Sequence, residues 1–205
     1  MLIRSGVDTR HFDPAVRCTG RNGGALRLVH VASLKPLKDQ WTLLRSVAEL
    51  DKECKDWELT IAGKDQANVR PGYENFVREH GLAGKVRFVG SIPDTRDVLK
   101  FADVFLLTSV TEALPIAAIE ALAMGIPCIV TNVGGNPDII EHGREGYLVQ
   151  PNDQKAIAAH IKYLGRNPAA RTAMGIADRE KALSCFDFAR MVDDYSALFL
   201  RVLRR

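Results

Sequence analysis

Short, almost continuous apolar runs alternate along this chain with segments whose apolar residues recur every three or four positions, and no other feature constrains the fold as strongly. Six of these runs have the length of strands: Ala25–Ala32, Trp57–Ala62, Lys85–Gly90, Asp103–Thr108, Pro127–Thr131 and Gly146–Val149. Runs this rich in Val, Ile and Leu are typical of strands that are covered on both faces, as in parallel sheets. The sequence therefore predicts an α/β fold, with helices on both faces of a parallel sheet of about six strands.

The segments between and after these runs have helical periodicity. They are Gln40–Lys52, Tyr73–His80, Thr95–Phe101, Pro115–Met124, Pro137–His142 and Asp153–Leu164. Strands and helices therefore alternate throughout. Only helices follow the last strand, and the terminal helix, at about residues 186–203, carries an apolar stripe along one face. Such a stripe predicts a surface against which this helix packs.

One long stretch, from Ala113 to Thr131, contains a single charged residue, Glu120, and has the low charge of a membrane span. Pro115, Gly125 and Pro127 interrupt it, and a carboxylate at its centre is costly in lipid. We predict instead a buried helix, with Pro115 at its first position and Gly125 at its end, followed by a buried strand.

Length and composition place residues 1–205 in one domain, because 205 residues with 46% apolar content can form a single core. The net charge of +3 is small and dispersed, which argues against nucleic-acid binding. The four cysteines, at positions 18, 54, 128 and 185, have neither zinc-site nor dithiol spacing, so we expect reduced, mostly buried thiols in a cytoplasmic protein. The N-terminal residues do not resemble a secretion signal. Residues 17–25, with three glycines, are predicted to form a loop.

In an open parallel sheet, ligands bind beyond the carboxyl ends of the strands, so functional residues are expected in the loops there. The loop after the first strand holds Lys35 and Lys38 just before a helix, an arrangement that favours anion binding. The alternative is that both lysines only increase solubility.

Two carboxylates, Glu112 and Glu120, follow the fourth strand. Glu120 lies in an otherwise uncharged helix, where a carboxylate needs hydrogen-bond donors to offset its desolvation, and a sugar or ribose diol supplies them. The alternative is a capped or solvent-facing Glu120 and an ordinary loop acid at Glu112. After the fifth strand, Gly134 and Gly135 either let the backbone approach a ligand or form a tight turn.

Several motifs are missing from the sequence. It has no G-x-G-x-x-G after the first strand, no G-x-x-x-x-G-K-[ST] and no G-x-S-x-G, which argues against dinucleotide oxidoreductases, P-loop enzymes and α/β-hydrolases. It also lacks the metal-binding pattern Asp-x-Asp. Among the five histidines, His30 lies in the first strand and is expected to be a core residue and not a base.

Six motifs occur in the order found in a known enzyme family: residues 5–12, the lysine loop ending at Lys38, residues 86–90, Glu112 and Glu120 followed by residues 121–127, residues 131–135 and residues 146–149. Together they resemble the C-terminal, donor-binding half of the group 1, or family 4, retaining glycosyltransferases of the GT-B fold. The resemblance covers nearly the whole chain. It implies a Rossmann-like domain that is one half of a GT-B fold, with the N-terminal acceptor domain absent from the chain. The terminal helix is then expected to dock on that absent domain.

The resemblance also implies roles for individual residues. Glu120 is expected to accept hydrogen bonds from the ribose hydroxyls, and Glu112 to contact the transferred sugar. Lys38 is expected to bind the diphosphate, on which charge builds as the glycosidic bond breaks. Lys38 and Glu112 are therefore the predicted catalytic residues. No metal and no other cofactor is predicted.

Further donor-binding residues are expected at a helix start and in a loop. Leu114, Pro115 and Ile116 lie near the phosphates and sugar, and Gly90, Ser91 and Ile92 hold the nucleobase. Two positions depart from the family pattern. Ser33 stands where the family usually has an arginine that binds the diphosphate, and Lys35 is expected to substitute for it as a point charge. Gly63 is also a predicted donor-binding residue, although its turn lacks the second glycine common in the family.

The implied function is transfer of a hexose from a nucleoside diphosphate sugar (a UDP-, GDP- or ADP-sugar) to an acceptor, with retention of configuration. The isolated half is expected to transfer nothing, because catalytic proximity needs both walls of the cleft. The complete enzyme is expected in the cytoplasm, where peripheral association with the inner face of the membrane is compatible with this function. Two alternatives stay open. One is a non-catalytic nucleotide- or partner-binding Rossmann-like module, which Ser33 favours; the other is a nucleotide-sugar epimerase-like or phosphorylase-like domain, which the Glu112–Glu120 spacing disfavours.

Overall fold

The structure is a computed structural model that describes residues 3–18 and 24–203. Across this part of the chain, six strands form one sheet: β1 Leu26–Val31, β2 Trp57–Ala62, β3 Val86–Gly90, β4 Val104–Leu107, β5 Cys128–Thr131 and β6 Gly146–Val149. All neighbouring strands are parallel, in the order β3-β2-β1-β4-β5-β6. This is the order of a doubly wound Rossmann fold. The predicted fold class is confirmed, and each predicted strand is present.

The described residues also form the helices α1 Gln40–Asp51, α2 Arg70–Glu79, α3 Arg96–Leu99, α4 Ile116–Ala123, α5 Asn136–Ile139, α6 Gln154–Arg166, α7 Pro168–Cys185 and α8 Phe188–Leu203. The start predicted for α2 at Tyr73 is wrong. The helix begins at Arg70 because Pro71, which has no N–H to leave unpaired, fits the first turn of a helix. The predicted loop at residues 17–25 falls largely on residues 19–23, which lie outside the described residues.

Apolar side chains on the two faces of the sheet form two cores. Leu28 of β1 points into the core beneath α1, α2 and α6, whereas the next residue, Val29, points into the core beneath α3, α4 and α5. The uncharged stretch at residues 113–131 contains α4, which packs into this second core, and the buried strand β5, which contributes to both cores, as predicted. No helix among the described residues combines the length and the apolar character needed to span a membrane.

Helix α4 is fixed at its C-terminal end by contact between glycine backbones. A Cβ on Gly125, which follows the helix with φ +63°, would lie 2.9 Å from the Gly175 carbonyl oxygen of α7. A Cβ on Gly175 would lie 2.6 Å from the Gly125 carbonyl oxygen. The predicted stop at Gly125 is confirmed, and both glycines allow α4 and α7 to meet closely.

The prediction of mostly buried thiols is wrong. All four cysteines are free, but only Cys128, in a central strand, is buried, and burial raises the pKa of its thiol. Cys18 is exposed in a loop, and Cys54 and Cys185 are half-buried at or beyond the ends of helices. Element ends lie at the surface, so cysteines there are only partly covered.

Helix α8 presents an apolar stripe to solvent. None of its residues, Phe188–Leu203, is buried, and Phe199 on the stripe is 62% exposed. Two backbone hydrogen bonds fix its start to the N-terminal segment. Val7 N donates to the Phe186 carbonyl at 2.8 Å, and Phe188 N donates to the Val7 carbonyl at 2.9 Å. The domain therefore anchors this helix at one end and leaves its apolar face uncovered.

Candidate functional site

The central feature of the site is an ion pair between two loops. Lys38 Nζ, after β1, lies 2.5 Å from Glu112 Oε1, after β4. The side chains are 19% and 7% exposed. Because β1 and β4 are adjacent, and helices of opposite faces follow them, this pair lies at the topological switch point of the sheet. Ligands of doubly wound sheets bind in the crevice at this point.

The loop that carries Lys38 is held from both sides. A 3-10 turn over Pro36–Lys38 ends at Asp39, whose carboxylate accepts a hydrogen bond from Thr42 N and so caps α1. The hydroxyl of Thr108, after β4, donates to the Asp39 carbonyl at 2.9 Å. The lysine loop that is predicted to bind an anion ends at this helix start. Since Asp39 already caps α1, an anion there depends on the lysines and not on the helix terminus.

The loop that carries Glu112 depends on two glycines after β5. Gly135 N donates to the Glu112 carbonyl at 3.3 Å. A Cβ on Gly134 would lie 1.6 Å from that carbonyl oxygen, and one on Gly135 would lie 2.0 Å from the Ala113 carbonyl oxygen. These glycines are therefore required by the chain's own backbone, which packs against them to position Glu112.

Ser109, which sequence patterning did not single out, completes this group. It is fully buried, its hydroxyl donates to Glu112 Oε1 at 2.6 Å, and its carbonyl accepts a hydrogen bond from Thr131 Oγ1 at 2.6 Å. The sequence signal was a hydroxyl residue just beyond a buried strand. Glu112 thus receives hydrogen bonds from both a hydroxyl and an ammonium group.

A buried hydrogen-bond network fixes the backbone of Ser33. Gln40 Nε2 lies 3.1 Å from the Ser33 carbonyl and 3.2 Å from His30 Nε2, and His30 Nδ1 lies 2.9 Å from the Leu106 carbonyl. This arrangement assigns the proton to Nδ1, with Nε2 as acceptor. Burial lowers the pKa of His30 to about 4, so the ring is neutral. His30 is a satisfied core residue, as predicted. Ser33 and Lys35 are both half-buried.

Glu120 belongs to a second group, toward β3. Its Oε2 accepts a hydrogen bond from Thr95 Oγ1 at 2.8 Å, and burial raises the pKa of Glu120. Thr95 lies five residues beyond Gly90, at the end of the loop predicted to hold the base. In that loop Ser91 is exposed, and Ile92 packs partly against the core. The structure therefore brings Glu120 next to this loop and excludes a fully solvent-facing carboxylate.

The start of α4 lies between the two groups. Helix α4 begins at Ile116, so the prediction of Pro115 as its first residue is wrong: Pro115 immediately precedes the helix, and its carbonyl accepts hydrogen bonds from Ala118 N and Ile119 N. No side chain among the described residues caps this end. The uncapped N–H groups and the helix dipole favour an anion here. Leu114 is half-buried and Ile116 is exposed.

Gly63 plays a structural role at the end of β2. Its φ is +153°, its N–H donates to the Gly90 carbonyl at 2.7 Å, and a Cβ would lie 1.9 Å from the Ala32 carbonyl oxygen. Two residues later, Asp65 occupies the turn and accepts hydrogen bonds from Val69 N and Arg70 N at 3.1 and 3.2 Å. The chain itself therefore fills the space at this turn.

A cavity of about 1270 Å³ lies at the opposite edge of the sheet, beside the start of β1. Two of its arginines donate to carbonyls at helix ends: Arg17 donates to the Gly125 carbonyl at 2.7 Å, and Arg171 donates to the Gly165 carbonyl at 3.3 Å. We therefore place the candidate site at the carboxyl edge and not in this cavity. Within the described residues, no three His, Cys, Asp or Glu side chains are grouped to hold a metal ion.

Comparison with known proteins identifies the family. Residues 16–181 match the family described as glycosyl transferases group 1. The chain belongs to the group 1 glycosyltransferases. It is similar to N-acetyl-alpha-D-glucosaminyl L-malate synthase of Bacillus anthracis, with 28% identity covering 86% of this chain and 46% of the relative. It is also similar to D-inositol 3-phosphate glycosyltransferase of Corynebacterium kroppenstedtii, with 30% identity covering 94% and 47%. The chain thus spans about half the length of these glycosyltransferases.

Solved structures show the same fold. A glycosyltransferase from Rickettsia africae ESF-5 superimposes with a TM-score of 0.91 at 19% identity, covering 100% of this chain and 57% of its own. Anabaena Alr3699/HepE in complex with UDP-glucose gives a TM-score of 0.88 at 19% identity, covering 98% and 57%. Sucrose-phosphate synthase from Thermosynechococcus elongatus gives 0.89 at 26% identity, covering 100% and 53%. The domain therefore has the Rossmann-like architecture of group 1 glycosyltransferases.

Proposed function

We propose that this domain binds a nucleoside diphosphate sugar and that, together with an N-terminal acceptor-binding domain, it transfers a hexose with retention of configuration. The observation that carries the proposal is the Lys38–Glu112 pair at the switch point of the sheet, beside the uncapped start of α4. The complex of Anabaena Alr3699/HepE with UDP-glucose supports a nucleotide sugar as the ligand. UDP-, GDP- and ADP-sugars are the candidate donors.

The proposed chemistry depends on stabilising the leaving group. As the glycosidic bond breaks, negative charge grows on the nucleoside diphosphate, and Lys38 and the N–H groups at the start of α4 stabilise it. Glu112 contacts the transferred sugar. Glu120 accepts hydrogen bonds from the ribose hydroxyls, which offset the desolvation that raises the pKa of this carboxyl. The scheme requires no metal and no other cofactor.

The second half of the cleft is proposed to come from an N-terminal domain. Two observations support it: the chain covers 46% and 47% of two relatives, and α8 leaves its apolar stripe exposed. We propose that this stripe docks on the N-terminal domain, because exposed apolar patches mark interfaces. The four free thiols fit a cytoplasmic enzyme, with peripheral membrane association of the complete protein compatible with this placement.

One observation favours a second candidate, a non-catalytic nucleotide-binding module. Ser33 supplies no charge where the family usually places arginine, and the missing charge weakens stabilisation of the leaving group. Product analysis of the complete protein separates the two functions, because only the enzyme forms a glycoside.

The test of the proposed function is a thermodynamic cycle on Glu120. Glu120→Gln keeps the shape of the side chain but removes its charge and one acceptor. It should weaken binding of a nucleoside diphosphate by roughly 1–3 kcal/mol. The 2′,3′-dideoxy ligand already lacks the contact, so the substitution should cost that ligand little, and the two changes should be strongly coupled.

Calorimetric titration of both proteins with both ligands measures this coupling. Glu49→Gln, an exchange on an α1 carboxylate that pairs with Lys52, is the matched control and should leave binding unchanged. Additive losses in the cycle would show that Glu120 serves only the fold, through Thr95, and would refute its assignment to the ribose.

A further inference from the structure

Lys38 already has an anionic partner in this structure, although the proposed function requires it to bind a diphosphate. We infer that Glu112 and the diphosphate compete for the same place on Lys38, and that donor binding exchanges one anion for the other. This inference rests on the proposed function and adds a step to it. Lys38 then changes partner on binding, and Glu112 is released to accept the sugar.

The geometry of the pair supports competition for Lys38. The Nζ–Oε1 distance of 2.5 Å and the low exposure of both side chains mean that the ammonium charge is largely neutralised where it lies. A diphosphate that approaches this pair encounters the carboxylate as well as the ammonium. Full attraction by Lys38 is therefore available only when its ion pair with Glu112 is broken.

Glu112 has a second donor that does not depend on Lys38. The Ser109 hydroxyl donates to the same oxygen at 2.6 Å, and Thr131 fixes the Ser109 backbone from β5. After the exchange, Ser109 keeps Glu112 in place and partly satisfied. A buried carboxylate without its charged donor gains most from new hydroxyl donors, and the sugar supplies them. Ser109 is thus a positioning residue, and diphosphate binding prepares Glu112 for the sugar.

The test compares nucleoside diphosphates with nucleosides by calorimetric titration. UDP, GDP and ADP are screened on the 205-residue chain, and the one that binds is used with its nucleoside. Glu112→Gln removes the competing anion, so it should tighten diphosphate binding by about fivefold and leave nucleoside binding unchanged. In the background of Lys38→Met the gain should vanish, because no ammonium is left to release.

Asp51→Asn is the matched control. Asp51 pairs with Lys85 at 2.5 Å, and this pair is also partly buried. Asp51 lies at the end of α1, however, and not in a loop that follows a strand. Its substitution should not change diphosphate affinity. Thermal unfolding verifies that every variant folds. A measurement that needs no Lys38 variant is the ¹³C signal of the Glu112 carboxyl group, which should shift on adding the nucleoside diphosphate and not on adding the nucleoside.

Three outcomes overturn the inference. Equal or weaker diphosphate binding by Glu112→Gln means that Lys38 serves both anions at once. An undiminished gain in the Lys38→Met background means general charge repulsion without exchange. A Glu112 signal that ignores the diphosphate excludes the release of its carboxylate. In these cases the wild type still binds the diphosphate and the proposed function stands, whereas failure of all three diphosphates to bind refutes both.

Discussion

Gly134→Ala is the substitution that most directly tests how the fold places Glu112. The added Cβ would lie 1.6 Å from the Glu112 carbonyl oxygen, far inside van der Waals distance, so the two loops must separate. Gly81→Ala provides the control. Gly81 also has positive φ, +71° against +51° at Gly134, but a Cβ there would have no atom within 4 Å. The two variants share the conformational cost and differ in the clash.

The expected destabilisation follows from this geometry. Alanine in the left-handed region costs about 1–2 kcal/mol, and this is the whole cost expected for Gly81→Ala. At Gly134 the separated loops also break the Gly135–Glu112 hydrogen bond. They strain the hydrogen bonds that Ser109 and Lys38 donate to Glu112. Each hydrogen bond that breaks costs about 1 kcal/mol. Gly134→Ala should therefore cost about 2–4 kcal/mol, while the domain stays folded.

Urea unfolding measures both costs from the shift of the midpoint at constant slope. Calorimetric titration with the nucleoside diphosphate then shows whether the displaced loop alters the site. We expect altered affinity for Gly134→Ala and none for Gly81→Ala. Equal destabilisation of the two variants would refute the claim that Gly134 is needed for the close approach of the Glu112 loop.

Three further predictions concern other parts of the domain. Ser33→Arg should tighten binding of a nucleoside diphosphate by roughly 1–3 kcal/mol and that of the nucleoside hardly at all; equal effects in calorimetry would mean that Ser33 does not face the diphosphate. Burial, reinforced by Glu145, raises the pKa of Asp178 well above its usual 3.8, and neither carboxylate oxygen has a partner in the described part of the chain. Above pH 3.8 the unfolded chain releases the Asp178 proton, whereas the native state keeps it. The stability of the wild type relative to Asp178→Asn should therefore fall as pH rises, by at most about 1.4 kcal/mol per pH unit. A stability difference that stays constant in urea unfolding from pH 4 to 7 would contradict this. Finally, the isolated 205-residue chain should show no sugar transfer in a product assay, and robust transfer would contradict the need for a second domain.

The strands could be predicted closely because a short run rich in apolar residues marks each of them. The prediction for β2, Trp57–Ala62, agrees at both ends. Helix starts were harder, since local backbone chemistry decides them. Pro71 and Gly72 interrupt the apolar pattern of α2, although proline is well accommodated in a first turn. Pro115 precedes α4 for a similar local reason.

The edge of the sheet that holds the site was predictable, but its pairings were not. Parallel strands bring all their carboxyl ends to one edge, so the loops of Lys38 and Glu112 had to lie on the same side. Their ion pair joins residues 74 apart and requires β1 to lie beside β4. Hydrophobic periodicity does not determine strand order. For the same reason, the hydrogen bonds of Ser109 and Thr95 to the two carboxylates became visible only in three dimensions.

The close approach of two glycines at the end of α4 has a mechanical consequence. Gly125 and Gly175 bring α4 and α7 into backbone contact at the C-terminal end of α4, so a tilt of this eight-residue rod, about 12 Å long, would turn about that end. A tilt of about 10° moves the first turn by about 2 Å, whereas Glu120, about halfway along, moves by about 1 Å. A tilt about this end therefore displaces the proposed phosphate contact about twice as far as the proposed ribose contact. Under the proposed function, one short helix would keep its ribose contact nearly in place while its phosphate contact adjusts to the group that leaves the sugar.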